Sequence, residues 1–236
     1  MFMLQEYTLF NHPLKSIDHP KVLINTLNAH SFNTARKDDD FNKALLCSDV
    51  LLPDGISVVW AMRLLNGLKI QKIAGADLFF YEMERANAKG GKCFFLGSTE
   101  DTLEKIQKRA AIEYPNVQVF SFSPPYKAEF SDEDNEQMID AINTINPDVL
   151  FVGMTAPKQE KWAFQHFNQM QVGHVCCIGA VFDFYAGTIQ RAPKWMIQLG
   201  VEWLYRLIKE PRRLWRRYLI GNTKFLGYIL IEKLKS

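Results

Sequence analysis

The chain has 236 residues, of which 47% are hydrophobic and 23% charged, and its formal net charge is +2. This size and composition fit one large domain, or one domain with an appendage, around a sizeable core. The N-terminal residues show no signal-peptide pattern, and no run of about 18 apolar residues occurs, which argues against secretion and a spanning helix.

The charge is distributed unevenly along the chain. Between Arg191 and Ser236 there are eleven Lys and Arg but only three Asp and Glu, which leaves 17 basic and 23 acidic residues for the rest. An acidic body with a basic tail predicts an anionic partner or surface for the tail. We therefore divide the chain into a body, residues 1–190, and a basic amphipathic C-terminal appendage, residues 191–236.

Cysteine and acid patterns argue against a metal site. The four cysteines lack metal-ligand spacing, Cys176 and Cys177 are neighbours in an apolar run, and the five histidines are scattered. These features favour buried thiols in a reducing cytoplasm. The pairs Asp38/Asp40 and Asp132/Asp134 are interpreted as solvated helix starts, so no metal ligand is predicted.

Strands and helices are predicted to alternate beyond an N-terminal hairpin or loop that Pro13 and Pro20 interrupt. The predicted strands are Val22–Asn25, Asp49–Leu52, Lys92–Leu96, Val117–Phe122, Asp148–Val152 and His174–Ile178. The predicted helices cover part of 31–47, 56–65, a helix capped by Asp77 and ending near Ala88, 97–114, 131–145 and 158–171. Continuous apolar strands predict a parallel sheet with helices on both faces, a Rossmann-like α/β fold.

Asp54 lies where the strand 49–52 passes through Pro53 and Gly55 into the next helix. In open α/β sheets ligands bind in this crevice, and a partly desolvated carboxylate there suits a general base. The alternative is that Asp54 only caps the helix, and this stretch alone favours neither.

Three other turns carry weaker signals. Gly97-Ser98-Thr99 offers free amides to an anion, or is an ordinary helix cap. Gly179–Asp183 permits close approach of a ligand to the backbone. Lys158 and Gln159 occupy a helix start, where a cation interacts unfavourably with the helix dipole, so a phosphate or sugar ligand is suggested. The alternative is that both side chains are simply solvated.

The appendage begins with Arg191–Trp195 and an amphipathic helix, 199–208, which Pro211 ends. Arg212 and Arg216, like Arg213 and Arg217, are one helical turn apart, beside apolar residues. This pattern suits an anionic membrane surface, nucleic-acid phosphates, or a packed terminal helix with solvated arginines.

At this point the sequence resembles the WecG/TagA/CpsF glycosyltransferases of bacterial cell-envelope polysaccharide synthesis. The similarity runs from about Val22 to Leu219. It rests on the segments Thr26-Leu27-Asn28, Leu52–Val59, Ala74–Leu78, Ala156–Glu160, Gly179–Asp183, Arg191–Trp195, Leu199–Arg206 and Glu210–Arg213.

The resemblance implies a Rossmann-like catalytic domain and an inverting, metal-independent transfer without a cofactor. The donor would be a UDP-sugar, commonly UDP-N-acetylmannosamine or its uronic acid, and the acceptor a polyprenyl-diphosphate-linked saccharide for teichoic acid, common antigen or capsule. The implied base is Asp54. Transfer of another hexose such as glucose, or a non-catalytic nucleotide-binding or nucleic-acid-binding protein, is the alternative.

The implied site extends beyond the base. The resemblance places Thr26, Asn28 and Gln159 in the substrate pocket, and Lys72 stands where the family usually has arginine, which loses a bidentate contact. We add Gly97, Ser98, Asp183 and Arg191 as substrate-binding candidates. Appendage residues Arg206, Arg213 and Arg217 are expected to meet phosphate or the membrane. We therefore expect a cytoplasmic protein that is attached peripherally to the inner face of the cell membrane. No nucleic-acid partner is expected, and self-association is left open.

Overall fold

A single parallel sheet organises the structure. The computed structural model describes residues 3–235, apart from the side chains of Lys194 and Gln198. The strands are β1 (Val22–Leu27), β2 (Val50–Pro53), β3 (Lys92–Gly97), β4 (Gln118–Phe122), β5 (Val149–Gly153) and β6 (His174–Cys177). Their order is β2-β1-β6-β5-β3-β4 and every pairing is parallel. The predicted Rossmann-like α/β fold is therefore confirmed.

Helices cover both faces of the sheet. In the body they are α1 (Ala29–Ala35), α2 (Asp39–Leu46), α3 (Ile56–Asn66), α4 (Gly75–Lys89), α5 (Glu100–Glu113), α6 (Asp132–Ile145), α7 (Lys158–His166) and α8 (Ala180–Ala186). The C-terminal part adds α9 (Lys194–Gln198), α10 (Glu202–Lys209), α11 (Pro211–Trp215) and α12 (Gly221–Lys235), the last two joined by a π-helical turn, Arg216–Ile220. Among the described residues, no helix combines the length and apolarity that crossing a bilayer requires.

Alternate strand residues point into different hydrophobic clusters. On β3, Phe95 packs with helices α4, α5 and α8, whereas Phe94 packs with α6 and α7. A third cluster joins α1, α2, α3 and α12. Period-2 alternation thus places continuous apolar strands between two helical layers.

Local caps changed some predicted boundaries. The helix expected within 31–47 is two helices, because Asp38 accepts a hydrogen bond from the Phe41 amide (2.9 Å) and starts α2. Asp77 does not cap α4 as predicted. It lies in the first turn, where its carboxylate accepts from the Ala74 amide (2.8 Å), and Ala74 is the capping residue. Residues 3–20 hold two 3₁₀ turns, Leu4–Glu6 and Leu14–Ser16, and no strand.

The acid-rich helix starts were interpreted correctly. Ser131 caps α6, and Asp134 accepts from the Ser131 amide (2.9 Å) to complete a capping box. Asp38, besides capping α2, pairs with Lys161 (3.1 Å). Carboxylates at these positions accept hydrogen bonds from free amides and interact favourably with the positive end of the helix dipole.

The last helix is part of the folded core. Phe225 and Ile229 on α12 are buried in the same cluster as Phe32 on α1. Glu232, also buried, accepts hydrogen bonds from the amides of Leu4 (2.8 Å) and Gln5 (2.9 Å). Residues from the predicted appendage therefore complete the hydrophobic cluster around α1 and α3.

Candidate active site

The carboxyl ends of five strands meet at one edge of the sheet because all the strands are parallel. There β1 leads into Asn28, β2 into Asp54, β3 into Ser98, β5 into Met154 and β6 into Ile178 and Gly179. Asp54, Asn28 and Ser98 therefore follow the carboxyl ends of three strands, where ligands bind in α/β sheets. Of the other predicted residues of the body, Thr26 and Gly97 lie in the last residues of β1 and β3, Gln159 and Asp183 lie in α7 and α8, and Lys72 lies between α3 and α4.

Asp54 occupies the turn between β2 and α3. Its amide donates to the Leu27 carbonyl (2.9 Å), which ties the turn to β1. Gly55 has a φ of 142°, a conformation that side chains other than glycine rarely adopt, and it directs the chain into α3. The carboxylate is half-buried, and no described side chain donates a hydrogen bond to it. The backbone thus holds Asp54 while its carboxylate stays available.

Burial raises the pKa of Asp54 to about 6, from an ordinary 3.8. Among nearby charges, Lys72 and Arg217 lower it, whereas Glu202 and Asp77 raise it. A carboxylate with this pKa is mostly ionised at pH 7 yet basic enough to take a proton, which is what a general base needs.

Lys72 and Arg191 share one carboxylate from the C-terminal part. Glu202, at the start of α10, has one oxygen 3.9 Å from Lys72 Nζ and the other 3.3 Å from Arg191 Nε. Sequence reasoning did not select Glu202, although it is one of only three acids between Arg191 and Ser236. An isolated acid in a basic segment was the available signal.

The three predicted arginines of the C-terminal part come together. Burial lowers the pKa of Arg217, and the positive charges of Arg206 and Arg213 lower it further, whereas Tyr218 and Asp54 raise it. The Nε atoms of Arg206 and Arg217 are buried without a hydrogen-bond acceptor among the described residues. Clustered guanidinium groups with unused donors are suited to a bound anion.

A groove of about 670 Å³ lies between α1 and the C-terminal helices. Its charged lining includes Lys37, Arg213, Arg216, Arg217 and Lys224, with Asp38 as the acid; His30 also lines it, and burial lowers its pKa to about 4. Asp54 does not line this groove, but Arg217 lines it and also acts on Asp54. The groove has the size and charge to hold a polyanion next to the candidate base.

The chain after β3 and the chain after β5 leave the sheet on opposite faces, since α5 and α7 belong to different clusters. Gly97 and Gly153 pair at this divergence, and a Cβ on Gly97 would lie 2.5 Å from the Gly153 carbonyl oxygen. Ser98 follows with a φ of 60°. Thr99 caps α5 by accepting a hydrogen bond from the Thr102 amide. This turn therefore contains an ordinary helix cap, next to a crevice lined by backbone atoms.

Gln159 is buried and links the start of α7 to the turn after β6 through hydrogen bonds. Its Oε1 accepts from the Gly179 amide (3.1 Å), and its Nε2 donates to Glu160 Oε1 (2.8 Å). Glu160 is also buried, its Oε2 has no hydrogen-bond partner among the described residues, and burial raises its pKa to about 7. Through Gln159, Glu160 positions the turn after β6, a role not predicted from the sequence.

Other predicted residues have mainly local partners. Thr26 is buried on β1, and the Asn28 side chain caps α1 by accepting from the His30 and Ser31 amides. Asp183 lies in the first turn of α8 beside Thr188 (3.4 Å) and is not among the charges acting on Asp54. Contact of these side chains with a substrate stays a prediction.

Lys158, in the first turn of α7, is partly exposed and has partners away from the candidate base. Its Nζ donates to the Lys127 carbonyl (2.5 Å) and lies 3.4 Å from the ring centre of Phe130. Within residues 3–235, no group of three or more His, Cys, Asp or Glu side chains forms a metal-binding cluster.

The fold and site together define a class: a Rossmann-like enzyme with a candidate base and an arginine cluster at the carboxyl edge of its sheet. The model of the "Glycosyl transferase WecG/TagA/CpsF family" matches residues 7–236, and the chain belongs to that family. It is therefore a glycosyltransferase.

Curated relatives agree with this assignment. A Bacillus subtilis (strain 168) protein is 35% identical over 214 residues, covering 91% of this chain and 81% of the relative. A Bacillus spizizenii protein is 29% identical over 97% of this chain and 88% of its own length, and one from Staphylococcus aureus (strain MW2) is 29% identical over 91% and 80%. All three are called N-acetylglucosaminyldiphosphoundecaprenol N-acetyl-beta-D-mannosaminyltransferase.

Proposed function

We propose that this enzyme transfers N-acetylmannosamine from a UDP-sugar to N-acetylglucosamine linked through diphosphate to a polyprenol. The names of the relatives support the sugar and the acceptor. The observation that carries the mechanism is the Asp54 carboxylate, free of side-chain donors and with a pKa raised to about 6 by burial.

In the proposed reaction, an acceptor hydroxyl oxygen forms a bond to the anomeric carbon of the donor sugar. The bond from that carbon to the diphosphate oxygen of UDP breaks, and Asp54 takes the hydroxyl proton. Attack opposite the leaving group inverts the anomeric configuration.

Negative charge develops on the departing UDP and needs stabilisation. Lys72 and Arg217 supply positive charge near Asp54, Arg206 and Arg213 add theirs around Arg217, and the amides at the start of α5 lie further along the same edge of the sheet. Cationic side chains take the place of a metal ion in this proposal, so added EDTA leaves the rate unchanged.

The acceptor's polyprenol requires access to a bilayer. The C-terminal part exposes large apolar side chains beside exposed Arg212, Arg213 and Arg216. These apolar residues are Trp195, Leu199, Leu204, Ile208, Trp215, Leu219 and Ile220. Arginines next to tryptophan and leucine suit the surface of an anionic membrane, so we propose peripheral attachment to the inner face of the cell membrane.

The test is UDP release from UDP-N-acetylmannosamine with a synthetic N-acetylglucosamine-diphosphate lipid. Asp54→Asn lowers kcat at least about 100-fold, the usual scale for losing a general base. Asp101→Asn, which removes a surface carboxylate paired with Lys105 on α5, is the matched control. Wild-type turnover by a folded Asp54→Asn protein would refute the mechanism, and another accepted sugar would correct the donor.

A further inference from the structure

Helix α3 has an exposed apolar stripe. Trp60 and Leu64 lie one helical turn apart and are 67% and 49% exposed, and Leu68, just beyond the helix, is also exposed. The opposite face of α3, including Val58 and Met62, is buried. Apolar side chains of this size clustered on a surface mark an interaction site rather than random exposure.

The neighbouring helix α12 has the same organisation. Its Phe225 and Ile229 pack into one cluster with the buried face of α3. Leu226, Leu230 and Leu234, spaced four residues apart, are exposed on its other side. Two helices that share a core cluster thus both present apolar stripes outward, which we call the α3–α12 face.

The exposed charges of the two helices are of one sign, although the turn Leu4–Glu6, which packs against both helices, adds the exposed carboxylate of Glu6. The sequence has no Asp or Glu from Gly55 to Ala76, and Arg63 and Lys69 are exposed there. On α12 the sole acid is Glu232, which is buried and accepts from two backbone amides, whereas Lys224 and Lys235 are exposed. The exposed side chains of both helices are therefore apolar, polar or basic.

We propose that the α3–α12 face docks on an anionic lipid bilayer, as a second membrane contact besides the arginine-rich segment 206–217. A bilayer satisfies both features of the face, since head groups meet the basic residues and acyl chains meet tryptophan and leucine. A second copy fits less well, because pairing this face with itself would bring together two sets of exposed basic side chains.

The role that we give to this docking depends on the proposed function, since only a lipid-linked acceptor requires the candidate base to lie near a bilayer. Helix α3 starts two residues after Asp54, and Trp60 follows about 6 Å further along the helix axis. Lipid contact at Trp60 and Leu64 therefore brings the candidate base close to the head groups, where the acceptor's diphosphate lies.

Co-sedimentation with vesicles tests the proposal, using the full chain. The vesicles are equimolar phosphatidylglycerol and phosphatidylcholine, with pure phosphatidylcholine for comparison. Trp60→Glu/Leu64→Glu weakens partition into the anionic vesicles about tenfold or more, and Arg63→Glu/Lys69→Glu reduces the preference for phosphatidylglycerol, of which segment 206–217 keeps a part. Ile112→Glu is the matched control, since Ile112 is 82% exposed on α5, and it leaves partition unchanged.

Wild-type partition by a folded Trp60→Glu/Leu64→Glu protein overturns the proposal. So does a wild-type dimer in sedimentation equilibrium that this variant converts to a monomer while vesicle binding persists, because the face would then join two copies. A water-soluble, short-chain acceptor separates this proposal from the proposed function. The variant retains the wild-type rate with it, whereas failure of the wild type to use it refutes the function and leaves the vesicle result standing.

Discussion

Arg217 and Asp54 come from distant parts of the chain, yet each acts on the ionisation of the other. Burial raises the pKa of Asp54, and the Arg217 charge partly offsets this; burial lowers the pKa of Arg217, and Asp54 partly offsets that. The relationship links the C-terminal helices directly to the candidate base. Removing one charge should therefore change the titration of the other.

Arg217→Ala is expected to shift the acid limb of the pH–rate profile above pH 6. Arg217 favours the ionised carboxylate, so without it the pKa of Asp54 rises and activity is lost at higher pH. Loss of positive charge beside the leaving group also lowers kcat about 100-fold. The measurement is kcat against pH, with Lys108→Ala, which removes an exposed cation on α5, as control. An unshifted limb would show that Arg217 does not tune the base.

Asp54→Asn is expected to stabilise the protein at neutral pH. Because the folded-state pKa of Asp54 is raised, folding favours the protonated form, and its stabilising contribution is lost as pH rises from about 4 through 6. Discounted for partial exposure, the cost of the ionised form is of the order of 1 to 2 kcal/mol. Urea unfolding at pH 8 should show this gain, whereas Asp101→Asn changes stability by less than about 0.5 kcal/mol. Equal stability of Asp54→Asn and wild type at pH 8 contradicts the assignment.

Glu160→Gln is expected to stabilise the protein increasingly as pH rises from about 4.5 to 7, with no further gain above that range. The pKa of Glu160 is raised to about 7 from an ordinary 4.5, so folding favours the protonated carboxyl, and this contribution to stability is lost across that interval. Glutamine keeps an acceptor for Gln159 Nε2 without the buried charge. Glu160→Ala instead leaves that amide unpaired and costs about 1 to 3 kcal/mol at any pH. Thermal melts at pH 4.5 and 8 compare the two variants, and identical behaviour of both would contradict this role of Glu160 in holding Gln159.

Gly97→Ala is expected to destabilise the crevice between β3 and β5. The added Cβ meets the Gly153 carbonyl at 2.5 Å, in a backbone conformation with φ of 116°. Gly67, with φ of 69° and nothing within 4 Å of an added Cβ, provides the control. We expect a loss of about 1 kcal/mol for Gly67→Ala and at least about 3 kcal/mol for Gly97→Ala, measured by urea unfolding. Similar losses would mean that the backbone conformation alone, rather than the close approach, demands glycine.

Phe225→Ala should destabilise the whole fold. Phe225 is fully buried among α1, α3 and α12, so truncation costs about 3 to 5 kcal/mol. Its neighbour Leu226 is exposed, and Leu226→Ala costs less than about 0.5 kcal/mol. Urea unfolding measures both. A small loss for Phe225→Ala would show that α12 is detachable.

Strand positions and the location of Asp54 were predictable because both depend on local signals. Apolar runs ended by Pro53 and Gly97 fix where β2 and β3 stop, and parallel pairing then brings their ends to one edge. Arg206, Arg213 and Arg217 were selected from the family resemblance rather than from spacing, and their clustering is visible only in the folded chain.

The position at which α12 packs on the body was not predictable from local signals. Its sequence is apolar on two sides, and periodicity does not distinguish the side that packs on Phe32 from the side that stays exposed. The bridge from Glu202 to Lys72 was missed for the same reason, since it joins residues distant in sequence that only the folded chain brings together. Glu160 was missed because its role depends on burial and on the Gly179 amide.

In the unliganded enzyme, Glu202 competes with any bound anion for the positive charges of Lys72 and Arg191. Any anion that binds Lys72 and Arg191 must first displace a carboxylate already lying between them. Binding strength is then a difference between two ion pairs, which penalises small anions such as free phosphate. Only a ligand with further contacts elsewhere in the pocket compensates for the exchange, so selectivity arises before any sugar is recognised.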